Sequence, residues 1–115
     1  MGRYLVSLLG QPATSPEARA ECESAGPLWE EVLSEYPEIN PLHDYGSLTE
    51  GRFVGVFEAT SPDRVRELFE SFDRKLKASG DFPIMSQGWT SLDIWPIEFE
   101  SEGTTVVYQA ELARV

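Results

Sequence analysis

The sequence predicts an α+β fold in which an antiparallel sheet carries helices on one face. The main observation is that an apolar, strand-like run is twice followed by a Ser-Pro-acid helix start, at residues 15–17 after residues 4–9 and at residues 61–63 after residues 53–57. In each start the serine hydroxyl suits the N-cap, and the proline suits the first helical position. The carboxylate that follows is favoured by the partial positive charge of the first helical turn. This doubled pattern predicts two stacked strand–helix–strand halves.

The first half contains one strand and an interrupted helix. Residues 4–9 are almost all apolar, which predicts a buried central strand. The helical segment runs from Pro16 to Tyr36, and we expect Gly26 to end its first part, with a second helix starting at Pro27. That second helix has one apolar stripe at helical spacing, formed by Leu28, Trp29, Val32, Leu33 and Tyr36.

The second half begins with a hairpin. Residues 39–45 predict an edge strand, because Pro41 has no N–H to donate to a neighbour. A glycine-bounded loop at residues 46–51 joins this strand to the apolar residues 53–57. The helix that follows has one apolar face, and Gly80 suits its left-handed C-terminal cap.

The last part of the chain predicts two more strands. Residues 91–100 alternate, with Asp93, Trp95, Ile97 and Phe99 on one face. A turn at Glu102 and Gly103 leads to residues 104–112, an extra C-terminal strand with Val106, Tyr108, Ala110 and Leu112 on one face. Residues 1–115 are expected to form a single domain.

The order strand, helix, strand, strand, helix, strand predicts a ferredoxin-like βαββαβ sandwich with an extra C-terminal strand. This order resembles the dimeric α/β-barrel superfamily, which includes antibiotic-biosynthesis monooxygenases, muconolactone isomerases and polyketide cyclases. The resemblance covers most of the chain through element order and includes no family motif. It implies a cofactor-independent oxygenase, cyclase or isomerase that acts on an apolar or aromatic substrate.

A homodimer is expected because one face of such a sheet is left uncovered by helices. Apolar residues such as Trp95, Phe99, Val106 and Tyr108 then need burial that two helices cannot all provide. The C-terminal strand is the element we expect the two chains to exchange.

Composition narrows the function classes. The net charge is −11, and residues 17–50 are strongly acidic, which disfavours nucleic acid and anionic membranes as partners. No apolar run approaches a membrane span, and the N-terminus has no signal-peptide pattern. Cys22 is the only cysteine, so no intrachain disulfide can form; we expect a bystander thiol and a cytoplasmic protein.

His43, the only histidine, is the first candidate catalytic residue. Strand periodicity puts His43 and Tyr45 on one face, expected to be the open face of the sheet, which lines the ligand cleft in the superfamily. Imidazole titrates near neutral pH, which suits a proton shuttle. The alternative is a surface or dimer-contact histidine.

Arg52 is a candidate for orienting an anionic or phenolic substrate, and its alternative is a solvated charge at a strand end. In a symmetric hairpin Tyr45 pairs with Arg52 and His43 pairs with Val54, unless the loop shifts the register by one residue.

Asp93, on one face with large apolar groups, is a candidate acid or base; its alternative is a strand-start aspartate that bonds nearby backbone. Met85, Trp89 and Trp95 are candidates for a hydrophobic substrate pocket, with core or interface packing as their alternative. His43, Tyr45, Trp89 and Trp95 are expected near one cleft.

No metal or cofactor is expected. The sequence has only one histidine and one cysteine as strong metal ligands, and it has no EF-hand or phosphate-binding motif. It also has no nucleophile-elbow motif. Three functions remain. In an enzyme, His43 would move the proton and Tyr45 or Arg52 would polarise the developing enolate oxygen. In a non-catalytic dimeric module, the acidic residues 17–50 would bind a basic protein, or the module would bind a metabolite; a nucleic-acid mimic is a third alternative.

Overall fold

The computed structural model of the protein describes residues 1–108. Its strands are β1 (Gly2–Leu9), β2 (Asn40–Ser47), β3 (Arg52–Ala59), β4 (Ser91–Pro96), β5 (Phe99–Glu102) and β6 (Thr105–Tyr108). Its helices are α1 (Pro16–Ser24), α2 (Gly26–Ser34) and α3 (Pro62–Ser79), with one 3₁₀ turn at Met85–Gln87.

The main sheet has the strand order β2-β3-β1-β4, and every neighbouring pair is antiparallel. Helices α2 and α3 pack on the face that carries Tyr4, Val6 and Leu8 of β1. β1 is an inner strand, as its apolar run predicted, and Val6 at the centre of this face is fully buried. The other seven residues of β1 are only partly buried, so the strand is less buried than expected. The expected α+β fold with helices on one face of an antiparallel sheet is confirmed, and it is consistent with a ferredoxin-like fold.

Both predicted helix starts are present. The hydroxyl of Ser15 accepts a hydrogen bond of 3.1 Å from the N–H of Ala18, and the hydroxyl of Ser61 accepts one of 3.3 Å from the N–H of Arg64. Each bond satisfies an N–H that the first helical turn leaves unpaired. Gly80 caps α3 in the left-handed conformation, also as predicted.

The interruption in the first helical segment lies one residue earlier than expected. Ala25 separates α1 from α2, and α2 begins at Gly26 rather than at Pro27. Pro27 then falls in the first turn, where its missing N–H removes no helical hydrogen bond. The break turns α2 so that Val32 is fully buried in the core between the sheet and α3.

The register predicted for the β2–β3 hairpin is wrong by two residues. Tyr45 pairs with Val54, and His43 pairs with Val56. The connecting loop is shorter than expected because Ser47 still pairs with Arg52, and an irregularity follows Pro41. Since side chains alternate with a period of two, a shift of two residues leaves His43 and Tyr45 on their predicted face.

The predicted C-terminal strands are corrected as well. The run expected over residues 91–100 stops at Pro96, and Phe99 begins a separate strand. Pro96 has no N–H to continue a ladder, and beyond it the N–H of Ile97 donates to the carbonyl of Arg3 at 2.9 Å. Strands β5 and β6 then pair with each other in a two-stranded sheet of their own. The expected single extra strand is therefore a hairpin, residues 99–108, called the arm below.

Two members of the predicted last strand, Ala110 and Leu112, lie outside the described residues. Among the helices of residues 1–108, none has the length and apolar character needed to cross a membrane.

Candidate functional site

The face of the sheet opposite the helices, called the open face below, carries four of the predicted site residues. They are His43, Tyr45, Asp93 and Trp95. All four are exposed, Tyr45 to 73% and Trp95 to 56%. As predicted, His43 and Tyr45 share one face, and Asp93 and Trp95 share one face.

The three predicted catalytic residues do not converge. Ser7 pairs with Asp93 on one side and with Val54 on the other. Val54 in turn pairs with Tyr45, so Asp93 and Tyr45 lie at opposite edges of the four-stranded sheet. Three strand spacings separate them by about 14 Å, which is too far for one small substrate. His43 and Tyr45, two residues apart on β2, remain neighbours.

The prediction that Trp89 shares a cleft with His43 is wrong. The indole of Trp89 packs against the ring of Phe69 on α3, with ring centroids 6.1 Å apart. Trp89 therefore lies on the helix-covered side of the sheet, whereas Trp95 lies on the open face. Residues 80–90 connect α3 to β4 and form no strand, so strand alternation could not predict the side of the sheet on which Trp89 lies.

Met85, Trp89 and Arg52 line a different site, a pocket between the helices and the end of the sheet where β1 finishes. This helix-side pocket has a volume of about 350 Å³, within the range of small-molecule sites. Its wall contains five aromatic side chains: Trp29, Phe53, Phe69, Phe72 and Trp89.

Contacts between these rings shape the pocket. Trp29 lies 5.1 Å from Phe72 and 5.3 Å from Phe69, measured between ring centroids. Phe69 also contacts Phe53 at 6.0 Å, in a tilted arrangement. Because these rings contact one another edge-on or at a tilt, they present ring faces and ring edges to the pocket. Such a wall favours a flat apolar ligand.

Two glycines close one end of the pocket. Gly51 has φ +67°, and a Cβ there would lie 2.8 Å from the carbonyl oxygen of Gly10. The N–H of Gly10 donates to the carbonyl of Gly51 at 2.7 Å. The β2–β3 loop therefore meets the end of β1 at a distance that no other residue at position 51 would permit.

Glu21 fixes another wall of the pocket by hydrogen bonding, and the sequence analysis did not identify this residue. One carboxylate oxygen accepts hydrogen bonds from the N–H groups of Ile84 and Met85, at 2.9 and 2.6 Å. The glutamate is only 9% exposed. Its position could have indicated this role, because Glu21 lies one helical turn from both Ala18 and Ala25, which are buried. A carboxylate on a buried helix face needs hydrogen-bond donors.

The polar groups of the pocket are few. They are contributed by Gln11, Cys22, Asp44, Ser47 and Arg52. Burial raises the pKa of the Cys22 thiol, and the carboxylate of Glu21 raises it further against a smaller opposing effect of Arg19. The thiol is therefore uncharged at neutral pH. In residues 1–108, Arg52 forms no ion pair.

A second, wider cleft of about 980 Å³ lies between the open face and the arm. His43 and Tyr45 line it from the sheet, and Phe99 and Val107 line it from the arm. In the part of the chain described, no three His, Cys, Asp or Glu side chains cluster as metal ligands would.

The helix-side pocket is the better candidate for a ligand site, because its walls are packed rings and hydrogen-bonded loops. The cleft beside the arm has exposed residues on both sides. Comparisons of the chain with protein-family models and with characterised proteins return no match.

Proposed function

We propose that this protein binds a small, uncharged, largely aromatic molecule in the helix-side pocket. The observation that carries the proposal is a pocket of about 350 Å³ whose wall contains five aromatic rings. Burial of an apolar ligand there contributes roughly 25 cal/mol for each Å² removed from water.

The ligand is uncharged because the two charged side chains that line the pocket, Asp44 and Arg52, are both exposed to solvent, so the ring-lined part of the pocket offers little to balance a buried charge. Glu21 already accepts two backbone hydrogen bonds, and Cys22 is neutral. The net charge of −11 also repels anions from the protein as a whole. Gln11, Asp44 and Ser47 supply hydrogen-bonding groups for one polar substituent such as a hydroxyl.

The pocket supports binding better than catalysis. His43, the proton shuttle expected for an isomerase or cyclase, is exposed on the opposite side of the sheet. The strand order supports assignment of the domain to the ferredoxin-like sandwiches and, through them, to the dimeric α/β barrels. An unpaired Cys22 in a chain with no other cysteine supports a cytoplasmic location.

β-Naphthol is a suitable first probe, since it is flat, aromatic and uncharged and carries one hydroxyl. We expect it to raise the melting temperature progressively with concentration, because a ligand that binds only the folded state stabilises it by mass action. Naphthalene, which lacks the hydroxyl, should raise it less. Naphthoate, which carries a negative charge, should have the smallest effect.

Cys22 reports where the probe binds. Because it lines the pocket and is the only cysteine, alkylation by N-ethylmaleimide modifies one known position. We expect saturating β-naphthol to slow this alkylation several-fold. An unchanged rate at a concentration that raises the melting temperature would place the probe elsewhere and contradict the proposal.

A blocked pocket provides the matched comparison. Cys22→Phe places a ring in the pocket from a partly exposed position, whereas Cys22→Ser changes the same side chain without filling the space. We expect the serine variant to keep the thermal shift and the phenylalanine variant to lose it, with both folded by circular dichroism. Equal shifts in the two variants would refute the proposed site.

A further inference from the structure

Two glycines that line the helix-side pocket are not required by the fold. Gly46 lies in β2 and Gly10 follows the end of β1. Neither has a positive φ, so the backbone conformation would accept another residue at both positions. Apart from its chain neighbours, the nearest atom to a Cβ at Gly46 would be the carbonyl oxygen of Arg52, at 3.6 Å. For Gly10 it would be a carbon of the Trp89 indole, at 3.4 Å, so the packing leaves room for a Cβ at each position.

Gly51 and Gly55 differ from this pair, because the fold does require glycine there. A Cβ at Gly51 would lie 2.8 Å from the carbonyl oxygen of Gly10, and one at Gly55 would lie 2.8 Å from a ring carbon of Phe57. Glycine without such a reason weakens a strand, and it often marks a place where a ligand approaches the backbone. Gly10 and Gly46 both line the pocket, where such a ligand would lie.

The space over Gly46 is left empty by the neighbouring strand. Strand alternation puts Gly46 on the face opposite that of Tyr45, which is the face that the helices cover. Its partner across the strands is Phe53, whose ring leans along β3 and has a carbon 2.9 Å from the Cβ position of Gly55. No atom of that ring lies within 4 Å of a Cβ at Gly46. The inward lean of Phe53 and the missing side chain at Gly46 together open this part of the pocket.

Gly10 continues the same floor on the next strand. Leu8 pairs with Phe53, and Gly10 follows two residues later. A Cβ at Gly10 would lie 3.6 Å from the side chain of Leu8 and 3.4 Å from that of Trp89, both of which line the pocket. A side chain at Gly10 would therefore occupy space beside Trp89 that is now part of the pocket.

The volume of the pocket indicates the size of its ligand. An engineered apolar cavity of about 150 Å³ binds benzene. The helix-side pocket, at about 350 Å³, has more than twice that volume. A single aromatic ring would leave much of it unfilled, and atoms that face an empty space lose their dispersion contacts.

We propose that Gly10 and Gly46 set the size selectivity of the pocket, so that it prefers a ligand of two or more fused rings over a single ring. The fused rings lie over the backbone of the two glycines, in the space that side chains there would fill. The aromatic wall favours any flat ring, whereas the glycines decide how large a ligand fits. This inference rests on the function proposed above, and it assigns the size of the ligand and the residues that select it.

Gly46→Val tests the proposal, because its methyl groups fill the space over β2. Valine suits an extended strand, so the urea midpoint should stay at or above that of the parent. Isothermal titration calorimetry should show the affinity for β-naphthol reduced by roughly tenfold or more, the scale of a size mismatch in an apolar pocket. The affinity for phenol, a single ring with the same hydroxyl, should change much less. Ser7→Val adds methyl groups on the open face and should bind both probes as the parent does.

Gly10→Ala is the second variant, and it decides the question if Gly46→Val does not fold. Its single methyl group should reduce the affinity for β-naphthol by a smaller factor and again more than that for phenol. Unchanged β-naphthol affinity in a folded variant would overturn the proposal, and so would an equal loss for the two probes. A parent protein that binds phenol but not β-naphthol would overturn only the size selectivity. A parent that binds neither would contradict the proposed function as well.

Discussion

The carboxylate of Glu21 accepts a 2.6 Å hydrogen bond from the backbone N–H of Met85, a residue 64 positions further along the chain. The same oxygen accepts a second bond from Ile84. This side chain therefore joins α1 to the segment between α3 and β4, and so holds together two walls of the helix-side pocket.

Removal of this carboxylate should destabilise the fold. We expect Glu21→Ala to lower the free energy of unfolding by about 1–3 kcal/mol, because two partly buried N–H groups lose their acceptor. Glu21→Gln keeps an acceptor oxygen and should cost less. Urea denaturation measures both, with Glu23→Ala, an exposed position of the same helix, as the control. Equal losses for Glu21→Ala and Glu23→Ala would contradict the structural role of Glu21.

Gly55 is required by close packing in β3. A Cβ at this position would lie 2.8 Å from a ring carbon of Phe57 and 2.9 Å from one of Phe53, both of which pack in the core. We expect Gly55→Ala to cost about 1–3 kcal/mol of stability, because the rings must move from their packed positions.

A second strand glycine provides the comparison for Gly55. At Gly46 a Cβ would meet only the carbonyl oxygen of Arg52, at an ordinary 3.6 Å. Chemical denaturation should therefore show Gly46→Ala close to the parent. A Gly55→Ala protein as stable as the parent would show that the rings have room to move.

The reactivity of Cys22 should shift to higher pH in the folded protein. Burial and the Glu21 carboxylate raise the pKa of the thiol, and only the thiolate reacts with N-ethylmaleimide. The pH midpoint of the alkylation rate should therefore be higher for the native protein than for the protein in urea. Glu21→Gln should move the native midpoint part of the way back, and coincident native and urea profiles would contradict the expectation.

The ion pair between Glu38 and Arg64 should make stability depend on acid pH. The hydrogen bond from Arg64 holds the pKa of the Glu38 carboxyl below its usual range. The stabilisation is therefore present above the unfolded-state pKa, about 4.3, and is lost as the pH falls through the lower folded-state value.

Glu38→Gln tests this dependence. The variant should have a lower urea midpoint than the parent at pH 7, and the difference should shrink as the pH falls below the unfolded-state pKa and the parent carboxyl gains its proton. Glu70→Gln, at an exposed position in the middle of α3, is the control, and its difference from the parent should change much less with pH. A difference that stays constant with pH would assign the effect of Glu38 to something other than its charge.

Local interactions explain which features could be predicted from the sequence. The caps of Ser15 and Ser61 involve an N–H three residues away, and Gly80 needs only its own backbone freedom. The inner position of β1 follows from its largely apolar run, and the shared face of His43 and Tyr45 follows from strand alternation. The sequence alone therefore determined the types and the order of the elements as far as β4, and the shared face of His43 and Tyr45.

Packing between distant segments decided the rest. Alternation assigns Trp95 to a face but carries no information on Trp89, which lies outside a strand and reaches the helix side through its contact with Phe69. The pairing of Tyr45 with Val54 depends on the loop and on the irregularity after Pro41, and no single residue encodes it. The bond from Met85 to Glu21 exists only once α1 and the segment after α3 have packed together. The pocket is built from such long-range contacts, so only the tertiary structure brings its walls into one place.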